Sequence, residues 1–76
     1  MVRRMEIEFF DDVKPEYFGL PSLTLVSHRE KHFVFNIQGE IDPILKDIAK
    51  YKVKNLVFPE PSLEDMFMTF YQKEQQ

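Results

Sequence analysis

The side chains of this sequence with chemistry beyond packing fall into three groups. His28 and His32 flank the polar run Arg29-Glu30-Lys31, and imidazoles on either side of a tight turn can approach as cross-strand neighbours, with Glu30 as the local carboxylate. Zinc takes at least three protein ligands even in open catalytic sites, so the same residues also read as two solvated turn histidines. Adjacent carboxylates occur twice, at Asp11-Asp12 and Glu64-Asp65. Paired acids run general acid–base chemistry when burial or proximity splits their pKa values. Position gives both pairs a simpler duty, the first ahead of a short helical pattern it can cap and the second in the first turn of a terminal helix. Phe33 and Phe35 share one face of a strand, the placement by which RNA-binding sheets stack bases. The glycines of such a sheet motif are missing, and the same rings are needed for a core.

The composition narrows the classes further. The formal net charge is −3, against the basic balance that phosphate-binding surfaces require. The only glycines are Gly19 and Gly39, so no phosphate-binding loop of the form G-x-x-x-x-G-K-[ST] is present. With no cysteine there is neither a disulfide framework nor a thiolate metal site, which fits a reducing compartment. The sequence contains no signal peptide and no membrane-spanning run, so any service to a membrane process is expected from the soluble side. A chain of 76 residues is expected to form one domain that buries about 60% of its unfolded surface. Eight Phe and three Tyr must then supply much of the core.

Periodicity sets out the elements that would position these groups. Met5, Ile7 and Phe9 alternate with Glu6, Glu8 and Phe10, the pattern of a half-buried first strand. Asp11 to Gly19 reads as a short helix, with Pro15 in its first turn, Tyr17 and Phe18 on one face and Gly19 as a left-handed stop. Strands over about Leu23 to His28 and His32 to Gln38 form a hairpin around Arg29-Glu30-Lys31. Asp42-Pro43 reads as an N-cap followed by proline at the first helical position, with Ile44, Leu45, Ile48 and Tyr51 as the apolar stripe. A fourth strand covers about Val53 to Phe58. The fold class predicted is α+β, a ferredoxin-like split βαβ arrangement whose four-stranded antiparallel sheet carries an additional C-terminal helix. If Met5, Ile7, Phe9, Phe33, Phe35 and Ile37 face the helices, the opposite face collects Phe10, Val26, Val34 and Val57, an apolar set that calls for a cover.

The terminal helix is the nearest such cover and is sharply specified. Pro59 and Pro61 force an extended approach, and Ser62 is an N-cap whose hydroxyl oxygen can accept from the Asp65 N–H while Asp65 reaches back. Leu63, Met66, Phe67, Phe70 and Tyr71 then fall at helical spacing, and Met68 points elsewhere.

The run Glu60-Pro61-Ser62-Leu63-Glu64-Asp65-x-Phe67 resembles the closing motif of ATP-binding subunits of ABC exporters of the multidrug and bacitracin-export type. In that family it ends a small accessory domain that follows the nucleotide-binding domain. The segment from Ile44 to Val53 followed by Asn55-Leu56-Val57-Phe58 is similar to the helix and strand that precede the motif there, and the likeness extends from about Gly39 to Tyr71. The resemblance implies an accessory domain, excised from the C-terminus of a longer ATP-binding subunit, that supports assembly or regulation of the nucleotide-binding dimer in export. Its implied partners are the nucleotide-binding domain of the same parent, a second subunit as a further candidate, and the transmembrane permease indirectly, with no nucleic acid. Its implied location is cytoplasmic and peripheral to the membrane through the transporter complex. ATP and magnesium belong to the longer parent, and the chain itself carries no catalytic, cofactor-binding or metal-binding residue in this reading. The residues assigned to the family motif and to helix docking are Pro61, Ser62, Leu63, Glu64, Asp65, Phe67, Phe70 and Tyr71. The alternative is a ferredoxin-like regulatory domain that senses a small molecule.

Overall fold

The computed structural model describes residues 2–60 together with Phe67 and Met68. The chain runs β1 (Arg3–Phe9), a single 3-10 turn at Pro15–Tyr17, β2 (Leu23–Arg29), β3 (His32–Ile37), α1 (Asp42–Ile48) and β4 (Val53–Val57). The class is α+β: the four strands form one antiparallel sheet in the order β2-β3-β1-β4, with one helix among the described residues. Because every neighbouring pair is antiparallel, β1 and β2 point the same way with β3 between them, and β3 and β4 do so with β1 between them. Two strand–crossover–strand units are thus interleaved.

Alternation in β1 works as the sequence implies. Met5, Ile7 and Phe9 are buried, opposite Phe35, Phe33 and Val53 respectively, while Ile37, Leu23, Ile44 and Ile48 complete the buried set with Val13. The period-two placement of apolar side chains puts the strand residues among them on one face, where their burial with Val13, Ile44 and Ile48 is the main source of stability.

The first crossover departs from expectation. The helix predicted over Asp11 to Gly19 is instead coil around the three-residue 3-10 turn, and Asp11 and Asp12 cap nothing: the turn's N-cap is Lys14, without a side-chain hydrogen bond. Lys14 is extended at φ −91° and ψ 141°, the conformation proline imposes on the residue before it, and Phe18 returns to extended backbone at φ −107°. With Lys14 held extended a helix could begin only at Pro15, and Phe18 is already extended, so the packing of the rings decides the path. Phe18 sits among four others, with centroids 5.9 Å from Phe9, 5.7 Å from Phe33, 5.4 Å from Phe35 and 5.6 Å from Tyr51. One aromatic side chain from a coil therefore fills the space a helix face would fill. Gly19 is not left-handed; that conformation occurs at Gly39, φ +86°, where the chain leaves β3 for α1.

In α1 the N-cap is Ile41 rather than Asp42, and Pro43 still falls within the first turn, where its missing N–H costs no bond. Asp42, one position further in, carries its charge at the positive end of the helix and pairs with Lys46 at 3.0 Å. The helix ends before Tyr51, whose N–H donates to the Ile48 carbonyl at 3.0 Å. The terminal helix expected from Ser62 lies outside the described residues apart from Phe67 and Met68, whose backbone is helical.

Both edge strands are irregular. Val26 is an extra residue between the pairs Leu25↔Phe35 and Ser27↔Val34, and Lys54 is one between Val53↔Phe9 and Asn55↔Glu8. Such bulges interrupt a free edge and oppose the addition of further strands.

Candidate functional site

With the helix and the crossover coil on one side, the other side of the sheet is the surface on which function has to be sought. The same alternation that buries Met5, Ile7 and Phe9 sends Arg4, Glu6 and Glu8 to this open face, as a charged column along β1. Register then fixes the rows. Glu6 lies between Val34 of β3 and Val57 of β4, and Glu8 between His32 and Asn55. The apolar set expected here is present but divided. Phe10, Val26 and Val57 are 47, 45 and 42% exposed, and Val34 is half-buried, yet Glu6 separates Val34 from Val57.

Glu8 is the electrostatic centre of the face. One carboxylate oxygen lies 3.6 Å from His32 Nε2 and the other 3.8 Å from Lys54 Nζ, joining β3, β1 and β4 through one side chain that is 26% exposed. The bulge at Lys54 lets this lysine reach two partners, because its Nζ also lies 5.9 Å from the centroid of Phe10, whose ring has Lys52 Nζ at 5.1 Å. Cation–π contacts at such exposed positions contribute about 0.5–1 kcal/mol. Between these groups is a shallow, solvent-open depression of about 230 Å³ lined by Glu6, Ile7, Glu8, His32, Asn55 and Val57. Among the described residues no group of three His, Cys, Asp or Glu side chains could hold a metal ion.

In comparison with known proteins, no family model matches the chain, and no curated protein or solved structure matches it.

The structure separates the two histidines. The turn is the two-residue Glu30-Lys31, closed by the pair Arg29↔His32, so His28 opposes Phe33 and the imidazoles fall on opposite faces of the sheet. His28 stacks on Phe33 at 4.2 Å, and its Nε2 donates to the Glu30 carbonyl at 2.7 Å. His32 instead meets Glu8. Glu30 takes a left-handed φ of 56°, so its role is in the turn geometry. Phe33 and Phe35 are almost fully buried on the core face, which removes the stacking platform that an RNA-binding sheet needs.

Of the motif residues, Pro61, Ser62, Leu63, Glu64, Asp65, Phe70 and Tyr71 lie outside the described residues. Phe67 is 62% exposed, although the helical pattern places it on the packed stripe, and Met68 is 46% exposed. The approach to the motif is anchored: Phe58 packs against the core, with the Arg3 guanidinium 4.9 Å from its ring centroid. The exit of β4 thus lies beside the start of β1. No helix among the described residues is long and apolar enough to cross a membrane.

Glu8 and Lys54 were not singled out by sequence reasoning. The signal was available only in combination. A two-residue turn sets Arg29 against His32, and β3 pairing with β1 then sets His32 against Glu8.

Proposed function

We propose that this chain is an accessory C-terminal domain of an ABC exporter's ATP-binding subunit, an interaction module of ferredoxin-like fold that ties itself to the nucleotide-binding dimer. The interleaved strand order supports the fold, with the first crossover helix reduced to a coil pinned by Phe18. One observation carries the interaction reading: among the described residues the sheet is covered on a single face, and β4, an edge strand, hands the chain to the motif segment. Phe10, Val34 and Val57 offer apolar contact there, and Arg4, Glu6 and Glu8 offer polar partners, a mixture ordinary for non-obligate interfaces. The motif segment, whose Leu63, Phe67, Phe70 and Tyr71 fall at helical spacing in the sequence, is the element assigned to engage this face or a neighbouring subunit. ATP and magnesium belong in this reading to the part of the parent upstream of Met1. Reading the gene in frame upstream of Met1 tests the parentage. A phosphate-binding loop and signature loop there are expected, and an unrelated domain in their place overturns the proposal.

A second reading, a small-molecule-sensing domain, draws on the depression between Glu6, Glu8, His32 and Asn55. Reproducible thermal stabilisation by an amino acid or a metal ion, lost in Glu8→Gln, would favour it over the first.

A further inference from the structure

We draw no further inference here: the strongest candidate, the open sheet face around the depression between Glu6, Glu8, His32, Asn55 and Val57, has its central carboxylate already paired with His32 and Lys54, and nothing in the structure shows what covers it.

Discussion

Phe18→Ala is expected to remove much of what holds the helix-side layer together. The ring comes from a coil, yet it lies within 6 Å of the centroids of Phe9, Phe33, Phe35 and Tyr51. Burying a phenylalanine side chain contributes about 1.5–3 kcal/mol, and truncation to alanine in a core costs about 3–5 kcal/mol once the cavity is included. Phe18 is only partly buried, which favours the lower end, while each specific ring contact adds about 0.5–1.5 kcal/mol in a non-additive way. The expected loss is about 3 kcal/mol. A 76-residue domain holds in total about 4–11 kcal/mol, so the variant should lie near its folding threshold. Urea unfolding followed by far-ultraviolet circular dichroism should show the midpoint falling by about 3 M, for a slope near 1 kcal/mol/M. Phe18→Leu, which keeps apolar volume but not the ring geometry, should lose only about 1 kcal/mol. A loss below 1 kcal/mol in Phe18→Ala at unchanged slope would refute the claim that this ring replaces a helix.

Substitutions at two further positions, Glu30 and Glu8, have local effects. Glu30 holds a left-handed φ at a cost of roughly 1–2 kcal/mol for a non-glycine residue; against glycine's own entropic penalty of about 0.5–1 kcal/mol, Glu30→Gly should gain about 0.5 kcal/mol. Glu30→Val should lose at least about 1 kcal/mol, both read as thermal midpoints, and the His28 bond survives in either because its acceptor is backbone. Glu8→Gln should lose about 0.5 kcal/mol at low ionic strength, the scale of partly exposed ion pairs, and the difference from the parent should shrink in 1 M salt, where charges are screened beyond about 3 Å.

The legible parts of this sequence were those set by simple periodicity. Met5, Ile7 and Phe9 with Phe33, Phe35 and Ile37 announce one buried face, and Ile44 and Ile48 announce the helix that covers it. In the crossover, Tyr17 and Phe18 beside Pro15 imitate a helix face. Backbone restriction at Lys14 ahead of Pro15 and the extended backbone of Phe18 leave three residues between them, and Phe18 reaches its neighbours from a coil. The bulges at Val26 and Lys54 escape a period-two pattern, since one inserted residue leaves the composition of a strand unchanged. Lys54 depends on such a bulge to reach both Glu8 and Phe10. Residue type alone makes Phe10, Val26, Val34 and Val57 an apolar set on the open face, whereas pairing places Arg4, Glu6 and Glu8 along its β1 strand.

The interaction reading stands or falls on the motif segment, and amide chemical shifts of the chain with and without Ser62–Gln76 test it most directly. Removal is expected to perturb the open-face positions Glu6, Glu8, Asn55 and Val57 more than the core positions Phe33, Phe35, Ile44 and Ile48, and to lower the melting temperature or promote self-association. Unchanged shifts on that face, with an unchanged melting temperature and a monomeric chain, would contradict it.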